Sequence, residues 1–565
     1  MKLPELIWDR WRRQAEAHPA RDAIIHWIAG EEPFRWTFAG LHGAARAIAG
    51  RLRQNGIRAG QVCAIMIRHD PWFYPIYLGV CYLGALPAVL AYPNPRLHPE
   101  KFVQGLDGMS KSSGLDWLLT ERALEPTVRP LVERDATTIR GLLFPLEWVS
   151  DLPADIPIAE IEQGRPEIAA EDPLLLQHSS GTTGLQKAVA LSHRAVLDHV
   201  DRYGEALQLT TNDRIASWLP LYHDMGLIAA FHLPLATGIP TVQIDPFQWV
   251  QAPILLLEAI AAERCTLAWL PNFAYNLMTD AIHEEDLDGI NLESVRLVIN
   301  CSEPVRAESH RRFFERFSRR GLQASALGAC YAMAEATFAV TQTTPGSPAR
   351  TIAIARDTLG DGLAKPAAEH ATAAVRLSVS SGRPLRDCRI RILDDTGLDL
   401  PEGRVGEIAI QSASLFSGYT IRHTVMPATD AGGWYHTGDL GFLHDGEYYI
   451  VGRKKDVIIV AGQNIHPEDI EDAVSEVDGV IPGRSVAIGE DDPRSGTEQI
   501  AVIAETALES IDDQQALRGR IAEAVMGLNL TVARIHLVPP RWLIKSSSGK
   551  PSRRANQARL AGRPA

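Results

Sequence analysis

The sequence predicts an α/β protein: a large N-terminal body of helix-covered, mainly parallel sheets that carries a strand-rich subdomain, then a small α+β body. Three observations carry this reading. Through about the first four hundred residues, short apolar runs alternate with amphipathic helical segments, the pattern of buried strands joined by crossover helices. Past Arg376 the pattern changes to short strands broken by Asp-Gly and Gly-Arg turns. After Gly452-Arg453-Lys454-Lys455-Asp456 a compact order of strand, helix, strand, strand and helix takes over.

Composition sets the class. The chain has 565 residues, 45% hydrophobic and 22% charged, with 56 Lys+Arg against 69 Asp+Glu and a formal net charge of −13. This is globular composition with length for a substantial core. Affinity for phosphate backbones and anionic membranes comes from clustered Lys and Arg, so the acidic balance argues against a nucleic-acid partner and favours a small-molecule enzyme. Cysteines at 63, 81, 265, 301, 330 and 388 show no C-x-x-C pair and no histidine cluster at zinc spacing, which argues against a disulfide scaffold or structural zinc. The N-terminal MKLPELIWDRWRRQAEAHP lacks the apolar core of a secretion signal and reads as an exposed amphipathic helix of a cytoplasmic protein.

Along the chain, VCAIMI reads as a strand and a helix starts at Trp72. Tyr74 to Pro93 carries no charge and has the length of a membrane span. Pro75, Pro87 and Pro93 break it, giving a buried helix through Gly84 and a strand from Leu86 to Ala91, with no stable membrane insertion expected. LLLQ, AVALS, IASWLP, TVQID, TLAWLP and VRLVIN supply further strands. The polar segment from Thr343 to Ala373 has weak periodicity and reads as an insertion or extended surface loop. CRIRILDDTG, GRVGEIAIQS and DGEYYIVGR build the strand-rich subdomain, about 375–452. VIIVA, HPEDIEDAVSEV, SVAIG, QIAVIAE and a helix from Ile511 complete the chain, so the expected division is 1–452 and 453–565.

The strongest chemical signal is Ser179-Ser180-Gly181-Thr182-Thr183-Gly184-Leu185-Gln186-Lys187, between two apolar strands. Small residues let backbone N–H groups converge on phosphate oxygens, hydroxyls add donors, and the lysine adds a point charge. A flexible Ser/Gly/Thr turn is the plainer alternative. Tyr435-His436-Thr437-Gly438-Asp439 places a carboxylate where it can accept from ribose hydroxyls, and Gly452-Arg453 ends the next hairpin, although Asp beside Gly is usually only a turn residue. Ser546-Ser547-Ser548-Gly549-Lys550 puts a lysine on a loop, in a tail from 545 to 565 with six positive charges and no acids that alone reads as a solvated extension.

In order, SSGTTGLQK (179–187), PLYHDMGLI (220–228), YAMAE (331–335), GRVGEIAI (403–410), YHTGDLGF (435–442), GRKKDVIIVAGQNIHPEDIE (452–471) and SSSGK (546–550) resemble the AMP-forming acyl-adenylating enzymes, over nearly the whole chain. PLYHDMGLI and CSEPVR (301–306) are most similar to the branch acting on fatty or other apolar acids. The resemblance implies ATP-dependent activation of a carboxylic acid to acyl-AMP, then transfer to a thiol, with ATP/AMP, Mg²⁺ and coenzyme A as cofactors. It places the β- and γ-phosphates on Ser179, Ser180, Gly181, Thr182, Thr183, Gly184 and Lys187, Mg²⁺ on Glu335, and the ribose on Asp439 and Arg453. Cys301 to Tyr331, with Ala332, would line the adenine pocket. Lys550 would reach the carboxylate and α-phosphate in the transition state, the C-terminal body would turn about Lys455, and Gly462 beside Ala461 would admit a pantetheine arm. His223 would gate the acyl pocket, with a satisfied core histidine as the alternative.

The chain departs from the family with Gln186-Lys187-Ala188 where Pro-Lys-Gly is usual, and Tyr331-Ala332 where Tyr-Gly is usual. A methyl group at either place would crowd a nucleotide or be accommodated, so a ligase using preformed acyl-AMP is one alternative. The first expectation is an acyl-CoA ligase. A fatty acyl-AMP ligase loading a separate acyl carrier protein is the second, since no carrier motif follows Lys550, and a non-catalytic nucleotide-binding protein is another. Trp218, Trp269 and Phe273 suggest an apolar acid but are more often core. Monomer and homodimer fit equally.

Overall fold

The structure, a computed structural model, describes residues 5–93, 99–133, 137–153, 158–162, 165–179, 187–367, 375–460, 463–492, 497–545 and 551–562. A seven-stranded sheet runs in the order Leu327–Ala329, Leu297–Asn300, Leu267–Leu270, Ile215–Ser217, Thr241–Ile244, Asp22–Trp27 and Phe34–Thr37. Every pairing is parallel except the last. A second sheet, Leu86–Val89, Val62–Met66, Trp117–Thr120 and Gly141–Leu143, is wholly parallel. Helices cover both faces of such sheets, which is why these strands read as unbroken apolar runs.

Two antiparallel sheets complete the large body. One joins Thr424–Met426, Gly418–Ile421, Lys187–Ser192 and Pro173–Ser179. The other joins Arg389–Leu393, Gly406–Gln411, Tyr435–His444 and Glu447–Arg453, as the turn-rich sequence predicts. Residues from Ile458 onward build clusters of their own, with Ile458, Ile470, Val474, Val502, Leu517 and Ile521 together.

The uncharged stretch divides as expected, into the helix Phe73–Tyr82 and the strand Leu86–Val89. Every residue of that helix is buried. Gly79 lets it approach the helix Phe38–Gln54, where a Cβ would stand 2.7 Å from an Ile48 methyl and 3.0 Å from the Ala45 carbonyl. Among the described residues no helix is long and apolar enough to cross a membrane.

Three expectations need correction. The N-terminal helix, Ile7–Ala17, is amphipathic but not simply exposed: Ile7, Trp8, Trp11 and Ala15 enter the principal core. The segment after Thr343 is not all loop, because Thr351–Ala355 pairs antiparallel with Val375–Val379 and the helix Arg356–Gly360 follows. The basic tail is not a solvated extension, because it forms the helix Arg553–Leu560 and Arg553 turns inward onto Asp456, Glu468 and Glu471.

Candidate active site

The carboxyl ends of parallel strands are where open α/β sheets present loops to ligands. Here those ends lead into Trp218, Asp245, Pro271, Cys301 and Cys330. Trp218 stacks on Trp249 with centroids 3.6 Å apart, and the Trp269 indole donates to the Tyr203 hydroxyl at 2.8 Å, so both are core, while Phe273 is 39% exposed.

Lys187 opens the strand that pairs with Pro173–Ser179, where Ser179 is its register partner. Its ammonium lies over the Tyr419 ring, 4.6 Å from the centroid. Ala188, one residue on, points the other way, as strand alternation requires. It is buried in a cluster with Ala64, Met66, Leu118 and Leu176, so its methyl group is part of the core. The expectations for Ser180, Gly181, Thr182, Thr183, Gly184, Gly462 and Lys550, and for the Ser179 side chain, fall outside the described residues.

Asp439 and Arg453 are register partners on one hairpin, and Arg453 Nε lies 3.2 Å from Asp439 Oδ1. The Tyr331 hydroxyl donates to Asp439 Oδ2 at 2.6 Å. Burial and the Asp439 charge push the Tyr331 phenol up, so it remains a donor. Burial alone would lower the Arg453 guanidinium, but Asp439 and Asp456 outweigh it and hold it protonated. Ala332 makes an antiparallel bridge to Ala339.

Glu335 sits in a short turn, Ala334–Ala336. Its Oε1 accepts from the Tyr419 hydroxyl at 2.8 Å, and that hydroxyl lies 3.0 Å from the Tyr435 hydroxyl. Burial and the Glu335 charge raise both phenols, which therefore stay neutral donors. Among the described residues Glu335 has no ion pair, so hydroxyls orient its carboxylate without cancelling its charge. An oxygen donor of that kind suits Mg²⁺, which keeps waters and phosphate oxygens for its other positions.

Lys455 lies in the turn Lys454–Asp456; burial and the neighbouring Arg453 lower its ammonium, and it feels the charges of Asp439 and Lys187. His223 is placed on the loop before the wide-turned helix Met225–His232, its Nδ1 2.6 Å from Asp224 Oδ1. That helix reaches Cys301 through sulfur, with Met225 Sδ 3.0 Å from Cys301 Sγ. The structure thus gathers Lys187, Tyr331, Glu335, Asp439, Arg453 and Lys455 from distant segments, while the contacts of His223 are with its own loop. Sequence reasoning missed Tyr419 and gave no role to Tyr435, although a Gly-Tyr pair in an apolar stretch was the available signal.

The sequence profile of the AMP-binding enzyme family matches residues 11–420. The chain belongs to the AMP-binding enzymes. This AMP-binding enzyme is 32% identical over 543 residues to a Caulobacter vibrioides protein provisionally named an acyl-CoA synthetase, covering 95% of this chain and 92% of that one. It is 30% identical to the long-chain-fatty-acid–AMP ligase FadD28 of Mycobacterium tuberculosis, over 85% of this chain and 84% of that one. A solved structure from a study of fatty acyl-adenylate ligases of E. coli and L. pneumophila superimposes with a TM-score of 0.88 at 27% identity, covering 98% of both chains. The L. pneumophila ligase in complex with acyl adenylate and pyrophosphate gives 0.72 at 28%, covering 99% of this chain and 96% of that one. The AMP-binding enzyme described here is an acyl-adenylate-forming ligase, which uses ATP and produces AMP.

Proposed function

We propose that this enzyme joins a fatty or comparably apolar carboxylic acid to the α-phosphate of ATP, releasing pyrophosphate, and passes the acyl group from acyl-AMP to the thiol of a separate carrier protein. One observation carries the adenylation reading: Lys187, Glu335, Asp439 and Arg453, from four segments, converge with charges suited to a triphosphate, its cation and a ribose. Lys187 holds the β- and γ-phosphates together with the loop from Ser179 to Gly184. Asp439 accepts from the ribose hydroxyls while Arg453 keeps its carboxylate in place, and Cys301, Tyr331 and Ala332 border the adenine. Mg²⁺ on Glu335 supplies charge neutralisation at the phosphate oxygens.

Lys550, one residue before the described Pro551, brings a positive charge to the carboxylate and α-phosphate as the bond forms. The chain turns about Lys455 as residues 453–565 move between the two steps, Gly462 gives the pantetheine arm room, and His223 gates the acid. The core placement of Ala188 supports full adenylation over use of preformed acyl-AMP only. Relatives named as ligases of a fatty acid with AMP, not with coenzyme A, support an acceptor other than coenzyme A, the reverse of the order the sequence suggests. The C. vibrioides relative supports transfer to coenzyme A as the second reading.

Mass spectrometry of products from the protein, Mg-ATP and a pool of carboxylic acids, with and without coenzyme A, tests this. Acyl-AMP accumulating even with coenzyme A present is expected. Acyl-CoA would establish the second reading, and no adenylate of any acid would refute the proposal.

A further inference from the structure

Lys187 and Glu335 carry opposite charges that must both serve a nucleotide, and one side chain touches each of them. Tyr419 presents its ring face to the Lys187 ammonium, 4.6 Å from the centroid, and its hydroxyl to Glu335 Oε1, at 2.8 Å. We propose that Tyr419 is a positioning residue for acyl-AMP formation, a neutral spacer that aims Lys187 and Glu335 at the triphosphate and its cation while keeping them from pairing with each other. This rests on the roles given to Lys187 and Glu335 above.

The backbone is built to hold the tyrosine there. Tyr419 lies on Gly418–Ile421, the strand beside that of Lys187, with Val189 as its register partner and Ala188 opposite Thr420. Just before it, the Phe416 N–H donates to the Glu335 carbonyl at 2.8 Å and the Ser417 N–H to the Ala190 carbonyl at 2.9 Å. One short segment is therefore tied both to the Glu335 turn and to the Lys187 strand. Gly418 makes the entry possible: its φ is +146°, and a Cβ there would stand 2.2 Å from the Met426 carbonyl oxygen. The Phe416 ring packs edge-on against Tyr419 and Tyr435, with centroids 5.0 Å and 5.2 Å away.

The chemistry explains why a phenol suits the place. Lys187 is exposed and Glu335 half-buried, so water screens their attraction in part, but a direct pair would still spend the charge that the phosphates and cation need. A ring face holds an ammonium while leaving its N–H donors free to point elsewhere. A hydroxyl orients a carboxylate oxygen without neutralising it. Tyr419 does both, and its hydroxyl also meets the Tyr435 hydroxyl, 3.0 Å away.

Calorimetric binding of α,β-methylene-ATP, with and without Mg²⁺, tests the inference on the full chain. Tyr419→Phe keeps the ring and removes the hydroxyl; it should bind the metal-free analogue as the parent does and lose roughly fivefold or more of the Mg²⁺ enhancement. Tyr419→Leu should in addition bind the metal-free analogue about two- to fivefold more weakly, because Lys187 is no longer held. In a Glu335→Gln background, Tyr419→Phe should have no further effect on the Mg²⁺ enhancement, a dependence that general loosening of the fold would not produce. Lys187→Ala and Glu335→Gln weakening Mg²⁺-analogue binding while both Tyr419 variants match the parent would overturn the spacer alone. Lys187→Ala and Glu335→Gln without effect would overturn the site reading and the spacer with it.

Discussion

Asp439 is where two elements of the site meet, since Oδ1 faces Arg453 from the paired strand and Oδ2 accepts the Tyr331 hydroxyl. Asp439→Asn keeps the shape but deprives Arg453 of its charge partner, a loss of about 1–3 kcal/mol for a hydrogen bond to a charged group. The KM for ATP should rise roughly tenfold in a pyrophosphate-release assay while the Mg²⁺ requirement stays put. That second readout separates it from Glu335. Gly226 is constrained by space alone: a Cβ would stand 2.3 Å from the Pro220 carbonyl oxygen, on the loop that carries His223. Gly226→Ala should destabilise the fold by about 1–3 kcal/mol, seen as a lower thermal midpoint, and should lower kcat/KM for the acid as His223 is displaced. An unchanged midpoint would show that the loop yields freely. Lys187, Glu335, Asp439 and Arg453 were legible because each sits in a contiguous motif whose residue types declare a charge. Tyr419 was not, because a neutral side chain gains its role only when a strand lays it between two charges from elsewhere.

At the level of elements, the helices Pro467–Ser475 and Arg553–Leu560 show how charge is organised past the turn at Lys455. Arg553 Nη1 bonds Asp456 at 2.8 Å and Nη2 bonds Glu468 at 3.0 Å and Glu471 at 2.8 Å, so three carboxylates share one guanidinium. One of the three must hold a proton more tightly than usual. Burial, with the neighbouring Glu468 charge adding to it, outweighs Arg553 and pushes Glu471 up from 4.5 to about 7. Between those values the folded chain keeps a proton that the unfolded chain has lost, so the stabilisation is complete below pH 4.5 and is lost as pH rises through about 7. The thermal midpoint should therefore decline from pH 5 to pH 8, and Glu471→Gln should remove that component of the slope; a slope unaltered by the substitution would place the proton elsewhere. The sequence shows six like charges in this tail but not the acids that fold back onto one of them, which is why it read as solvated. The strand pair Thr351–Ala355 and Val375–Val379 was hidden for a related reason: it lies at the surface, with Leu377 55% exposed, and a half-covered strand leaves a weak apolar alternation.

For the whole molecule, the sequence made the existence of the buried strands plain, because a strand covered on both faces is apolar at every position. Their order was not legible. Asp22–Trp27 pairs with Thr241–Ile244, more than two hundred residues later, and no local pattern encodes that choice. Nor does sequence show what sets the C-terminal residues against the rest. Three arginines of the large body meet two aspartates of the helix Pro467–Ser475: Arg306 reaches Asp472 at 2.7 Å, while Arg376 and Arg356 reach Asp469 at 3.2 Å and 3.4 Å. Lys545 makes an antiparallel bridge to Pro551, and its ammonium feels the charge of Glu303 in the large body. The turn proposed about Lys455 would break all three ion pairs, so they hold the arrangement seen here, which the proposal assigns to acyl-AMP formation. Each part-covered pair contributes about 0.7 kcal/mol, so losing two of them should slow adenylation by roughly tenfold. In single-turnover assays, Arg306→Ala with Arg376→Ala should slow acyl-AMP formation by that factor, while transfer from supplied acyl-AMP holds steady or rises. Raising salt from about 0.05 to 0.5 M should push the parent protein the same way and move the double variant far less, because screening weakens only pairs that are present. If both half-reactions slow together in the variant and in salt, the ion pairs merely stabilise the fold and do not select between the two steps.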